Sequence, residues 1–266
     1  MSNKPFILVT NDDGINAPGI EALYKSMLEI GDVAVVAPDS EKSAAGHAIT
    51  LSDPLRVMEV PLEENLVGFA VNGTPADCVK IGVKAILDKK PDVIVSGINL
   101  GSNTGINVIY SGTVSAATEG TILGIPSIAI SLATYHDPDF RAAGKAATLL
   151  TKEVLEHGLP DNTILNVNVP NLPPEKIQGM RVTKQGKAFY DEKFDRRIDP
   201  RNRTYYWMSG ERMTINEEEG SDELLVQQGY ISVTPAQYDL THYQFLDSLR
   251  SWSLFSNGQM QLKEKK

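Results

Sequence analysis

The chain opens on a continuous apolar run, Phe6-Ile7-Leu8-Val9-Thr10, that stops at Asn11-Asp12-Asp13-Gly14. A short run bounded by turn residues predicts a strand buried on both faces. A helical pattern follows over residues 18–30, with Pro18 suited to a first turn. A second apolar run, 33–37, ends at Pro38-Asp39. Strand, helix, strand in this order predicts βαβ units and a parallel sheet. Residues 93–95, 127–131 and 164–169 read as further buried strands, with helices over 111–123 and 140–157. Segments 55–60 and 66–71 read as short strands, paired as a hairpin. Thr74-Pro75 reads as an N-cap and first-turn proline, opening a helix that runs to residue 87.

From Pro170 the pattern changes. Pro, Gly and charged residues become frequent, and the strand-like pieces at 180–183, 203–208 and 230–234 are short. This predicts a core over 1–169 and a β-rich extension over 170–266. The extension is expected to close with a helix at 241–252 and a frayed lysine-rich tail at 263–266. No repeat of solenoid period is present.

Composition narrows the class. The 266 residues fit one large α/β domain, or one domain plus an appendage. A net charge of −9 argues against a general nucleic-acid binder, which would show a basic face. A small phosphorylated substrate stays open, because a metal ion inverts the local field. The single cysteine, Cys78, excludes a disulfide within the chain and a cysteine-based zinc site. Its apolar neighbours Val79 and Ile81 predict a core position. The N-terminal apolar run is too short for a secretory signal, and no stretch approaches the ~18 apolar residues of a membrane span. The expected location is the cytoplasm.

Open parallel sheets bind ligands beyond the carboxyl ends of their strands. Three polar loops follow the clearest strands here: 11–14, 40–47 and 97–107. Asp12 and Asp13 are adjacent like charges, which are costly together unless a cation lies between them. Hard carboxylate oxygens suit Mg²⁺, Mn²⁺ or Ca²⁺. The same pair can also serve merely to bend the chain. The 40–47 loop offers hydroxyls and backbone donors, and Asn99 offers a neutral amide oxygen. Ser111-Gly112-Thr113 opens a helix whose free N–H groups suit a phosphate, or simply form an ordinary capped start. A GxGxxG fingerprint, a P-loop, HExxH and GxSxG are all missing.

Five motifs then fall in a familiar order: Val9-Thr10-Asn11-Asp12-Asp13-Gly14; Ser40-x-x-Ser43-x-x-Gly46-His47; Asn72-Gly73-Thr74-Pro75-Ala76-Asp77; Ser96-Gly97-Ile98-Asn99-x-Gly101; and Tyr110-Ser111-Gly112-Thr113-Val114. Together with residues 230–235 and 239–241, they make the chain resemble the SurE survival proteins, which are 5′-nucleotidases or acid phosphatases. The resemblance implies a Rossmann-like α/β core with a β-rich C-terminal extension, and a homodimer or homotetramer that exchanges such extensions. It implies one divalent metal ion, Mg²⁺ or Mn²⁺, held by Asp12, Asp13, Ser43 and Asn99. Asp12, Asp13 and Asn99 would be catalytic, and Asn11, Ser111, Gly112 and Thr113 would contact phosphate. The chain departs from the family pattern at Ala44, where Gly is common, and at Asn107, where Asp is common. The expected activity is hydrolysis of nucleoside 5′-monophosphates, extending to other phosphomonoesters. The competing readings are a non-catalytic nucleotide-binding regulator and an oligomeric scaffold.

Overall fold

A computed structural model describes residues 4–63, 66–213, 218–252 and 254. Strand β1 (Phe6–Thr10) sends Ile7 and Val9 into one apolar layer and Leu8 into the other. That is the two-faced burial a central strand requires. In chain order there follow α1 (Pro18–Leu28), β2 (Asp32–Pro38), β3 (Val57–Pro61), β4 (Val67–Val71), α2 (Pro75–Ile81), β5 (Val93–Leu100), α3 (Gly112–Ile122), β6 (Ser127–Ala133), α4 (Arg141–His157) and β7 (Thr163–Pro170). The C-terminal part adds β8 (Met180–Val182), β9 (Phe189–Ile198), β10 (Thr204–Met213), α5 (Asp222–Gln227), β11 (Ile231–Gln237) and α6 (Leu246–Arg250).

The main sheet has the order β3-β4-β2-β1-β5-β6-β7-β11-β8. Its central strands β4, β2, β1, β5, β6 and β7 run parallel. Helices α1 and α4 cover one face, packing Ile20, Leu23, Ala143 and Ala147 on Val9, Val35 and Val95. Helices α2 and α3 cover the other, packing Val79 and Ala116 on Leu8, Val36 and Ile94. The expected three-layer, mostly parallel α/β architecture is therefore present. Cys78 is in this second layer, and burial pushes its thiol pKa up.

Several boundaries differ from expectation for local reasons. Strand β5 runs on to Leu100 instead of stopping at 95, because its register with β6 shifts between Ser96 and Asn99 and pairing then resumes. Such a bulge re-aims side chains. Helix α2 is shorter than expected and ends in a π turn over Gly82–Ile86. Thr74 does cap it, in a reciprocal box with Asp77. Beyond residue 170, β8 and β11 complete the main sheet, and only β9 and β10 form a separate antiparallel ladder. Strand β9 and helix α5 carry no clean apolar period. Of the helix expected at 241–252, only the short α6 forms, preceded by a 3-10 turn over Tyr243–Phe245, and the tail at 263–266 lies outside the described residues.

Candidate active site

The chain leaves β1 toward β2 on one side and leaves β5 toward β6 on the other, although β1 and β5 are hydrogen-bonded neighbours. A crevice opens between the loops after them, at the switch point where such sheets take ligands. The end of β1 delivers Asp12 and Asp13, the bulged end of β5 delivers Asn99, and the loop after β2 delivers Ser43.

Asp12 is 3% exposed. Its Oδ1 accepts a hydrogen bond from Thr113 Oγ1, and backbone N–H groups of Gly112 and Thr113 also support it. The first turn of α3 is thus turned on a carboxylate of the protein itself, where the helix dipole favours negative charge. Gly112 makes this approach possible: a Cβ there would lie 2.7 Å from Asp12 Cβ and 2.8 Å from its Oδ2. Burial raises the Asp12 pKa above its ordinary value, against the opposing hydrogen bonds.

Asp13 is half-buried, and its Oδ2 accepts from Leu100 N at 3.3 Å. Burial, and then the charge of Asp12, push its carboxyl up to about 6. Among the described residues no lysine, arginine or histidine pairs with either carboxylate. Nor do three His, Cys, Asp or Glu side chains converge there. Asn99 donates its amide N–H to the Gly101 carbonyl at 2.7 Å, which turns its amide oxygen free.

Ser43 is exposed and donates to Glu41 Oε1 at 2.8 Å. Its loop is stapled at both ends. Lys42 N donates to the Asp12 carbonyl at 2.7 Å, and Gly46 N to the Tyr110 carbonyl at 3.0 Å. His47 Nε2 meets Glu119 Oε2 at 2.9 Å, while Lys80 Nζ donates to Glu119 Oε1 at 2.5 Å. Burial alone would raise the Glu119 pKa, but its His47 and Lys80 partners bring the carboxyl below its ordinary value. The histidine is thus a structural anchor for the loop. Ala44 has φ +56°, a backbone region that disfavours a Cβ.

The expected phosphate contacts divide. Ser111 caps α3 by accepting from Val114 N at 3.1 Å, so its own O–H remains free to donate. It borders the cavity beside Asp12, Ser43 and Asn99. Thr113 and Gly112 act on Asp12. Asn11 is fully buried and commits its amide to Gly14, donating to the carbonyl at 2.9 Å and accepting from N–H at 3.2 Å. It shapes the turn that presents the two aspartates rather than facing the cavity.

The cavity itself has a volume of about 850 Å³, far more than a phosphate needs. Its lining also includes aromatic and apolar side chains: Tyr110, Tyr135, Phe189, Tyr190 and Met208. Tyr110 and Phe189 stand out in the sequence as aromatics, but Tyr135, Tyr190 and Met208 come from segments that carry no local motif. Tyr135 lies on Gly101, where a Cβ would come within 2.6 Å of its ring. Burial, and then its hydrogen bond with Tyr190, push the Tyr135 hydroxyl up to about 12.

A doubly wound α/β fold with paired carboxylates at its switch point defines a Rossmann-like protein with a polar ligand site at the strand ends. The family model described as Survival protein SurE matches residues 7–192. The chain belongs to the SurE family. It is 50% identical over 248 residues to a protein named 5′-nucleotidase SurE from Syntrophobacter fumaroxidans, covering 93% of this chain and 99% of that one. It is 51% identical over 254 residues to the protein of the same name from Christiangramia forsetii, covering 94% and 98%. The crystal structure of SurE protein from Aquifex aeolicus matches with a TM-score of 0.81 at 44% identity, covering 92% of this chain and 98% of that one.

Proposed function

We propose that this chain hydrolyses nucleoside 5′-monophosphates to nucleoside and phosphate, at a site that depends on one divalent metal ion. The observation that carries the reading is the adjacent pair of buried Asp12 and half-buried Asp13, without a basic partner among the described residues, with Asp12 lining a cavity that exceeds phosphate size and is also lined by aromatic side chains. The names of the relatives agree with it.

The donor set fits a hard cation. Two crowded carboxylates, the free amide oxygen of Asn99 and the hydroxyl of Ser43 are all oxygen ligands. Ser43 would have to turn from Glu41 to contribute. A bound Mg²⁺ or Mn²⁺ supplies Lewis-acid stabilisation of charge on the phosphate. The protein's own part is positioning. Thr113 and the α3 N-terminus hold Asp12 in one orientation, Asn11 fixes the turn beneath it, and Ser111 donates to a phosphate oxygen. The Asp12 carboxylate is engaged by those donors, which favours water as the attacking group. The volume of the cavity, about 850 Å³, suits other phosphomonoesters as well.

The same chain is proposed to act as a homodimer or homotetramer through its C-terminal extension. A two-stranded ribbon is marginal on its own in water. Strands β9 and β10 nevertheless run ten residues each and leave Phe194, Tyr206 and Trp207 exposed. Exchange with a second copy would cover them. A cytoplasmic location agrees with the described residues, in which no helix is long and apolar enough to cross a membrane.

The test is phosphate release from nucleoside 5′- and 3′-monophosphates and p-nitrophenyl phosphate, with EDTA and then with Mg²⁺ or Mn²⁺ restored. Release that stops with EDTA, returns with metal and favours 5′-nucleotides is expected. Tight nucleotide binding with no release under any metal would replace this reading with a regulatory binding protein.

A further inference from the structure

Arg212, near the end of β10, has no part in the reading above. It sits where the ribbon enters the body of the molecule. Its Nη1 donates to Ser102 Oγ at 2.6 Å, and its Nη2 donates to Thr104 Oγ1 and pairs with Glu223 Oε2. Thr104 Oγ1 donates to the same carboxylate at 2.5 Å. Thr104 and Glu223 are buried. One guanidinium therefore joins three segments: the ribbon, the loop after β5 and the first turn of α5. Among the described residues, its Nε is buried without a partner. That is an inefficient way to gain stability, because a buried ion pair does little more than break even against apolar packing. It is an effective way to fix geometry, since a planar fork sets both distance and angle.

What it fixes borders the cavity on two sides. Ser102 lies in the wall, just beyond Asn99. Met208, Ser209 and Gly210, on Arg212's own strand, line the same cavity. Arg212 is in register with Tyr190 of β9, the residue whose hydroxyl meets Tyr135. Arg212 itself is not in the wall.

We propose that Arg212, held by Glu223, is a positioning residue that sets the ribbon as the nucleoside-side wall of the cavity and locks it in register with the loop carrying Asn99. The proposal rests on the nucleotidase reading. It predicts that recognition of the nucleoside, and not the chemistry at phosphate, depends on the strut.

The experiment compares wild type, Arg212→Met and Glu223→Gln. Each is assayed on nucleoside 5′-monophosphates and on p-nitrophenyl phosphate, which carries no ribose or base. Hydrogen exchange is followed over residues 99–105 and 189–213. For Arg212→Met, KM for the nucleotide is expected to rise about tenfold, with kcat and the aryl phosphate parameters within about twofold. Exchange should quicken in both segments together. Glu223→Gln, a milder and nearly isosteric change, should move the same parameters in the same direction. Equal loss on both substrates marks a general structural role and overturns the proposal, as do unchanged nucleotide kinetics in a wild type active on nucleotides. Exchange that quickens in the ribbon alone overturns it too. A wild type that turns over only the aryl phosphate removes the nucleotidase reading and this proposal with it, a failure seen before any variant is made.

Discussion

Asp12 is 3% exposed, with its carboxylate held against the first turn of α3, whereas Trp207, on the ribbon that closes the other end of the same cavity, is 59% exposed. The two ends obey different physics. At the Asp12 end the carboxylate is held by Thr113 and the first turn of α3, and a single added methyl on Gly112 would strike it. Close packing of this kind suits chemistry, where small displacements cost large factors in rate. At the ribbon end the strands make one ladder with each other, and the Arg212 fork is the charged anchor to the core. Such an end can adapt to a variable base or to a second subunit without disturbing the aspartates.

The largest effect should come from Asp12→Asn. The amide keeps the shape but loses the charge, and phosphate release should fall by about 10³-fold on every substrate, nucleotide or not. Equal activity in a folded variant, checked by circular dichroism, would remove the paired carboxylates from the mechanism and with them the contrast between the two ends.

Next is Glu119→Gln, which breaks the anchor of the Ser43 loop. We expect a loss of about 1–3 kcal/mol in urea unfolding at neutral pH. The sign with pH follows from the carboxyl lying below its ordinary value in the folded protein. Stability from such a group is complete above the ordinary glutamate pKa of 4.5 and disappears as pH falls through the lower folded value. The gap between variant and wild type should therefore narrow below pH 4.5. A gap that stays constant down the acid limb would mean that the ion pairs contribute nothing and that only the shape of Glu119 matters.

Ala44→Gly should act in the opposite direction, and by less. Ala44 has φ +56°, and removing its Cβ relieves that conformation at the expense of some unfolded-state entropy. A gain of about 0.5 kcal/mol is expected in the same unfolding assay. Destabilisation would show that the methyl packs usefully at the cavity edge. The smallest effect on folding belongs to the ribbon: Trp207→Ser should change monomer stability by less than about 0.5 kcal/mol. Its signature lies in sedimentation, where the population should move toward the monomer. A ribbon variant that unfolds the protein without changing association would reverse the assignment of roles to the two ends.

Much of this was legible along the chain. The apolar runs at 6–10, 33–37 and 127–131 gave the sheet its central strands, because burial on both faces leaves no charged positions and no polar-apolar alternation. Thr74-Pro75 announced the start of α2 because capping is a local interaction. Asp12, Asp13 and Asn99 were visible as polar residues at strand ends, and the strand order does bring them to one crevice. The role expected of Asn11 was less visible: its position was clear, but the two hydrogen bonds that commit its amide to Gly14 depend on how the turn closes.

The sequence by itself determined the layered α/β fold, its family and the oxygen-rich loops, since each of these is written in residues close together along the chain. Only the tertiary structure decided that the start of α3 faces Asp12, that Glu119 anchors the Ser43 loop, and that Arg212 reaches Ser102 and Thr104. Those contacts join residues 101, 72, 110 and 108 positions apart. Periodicity and capping report on neighbours within a few residues. Pairings across the sheet are chosen by the simultaneous packing of the whole core, so no local pattern records them.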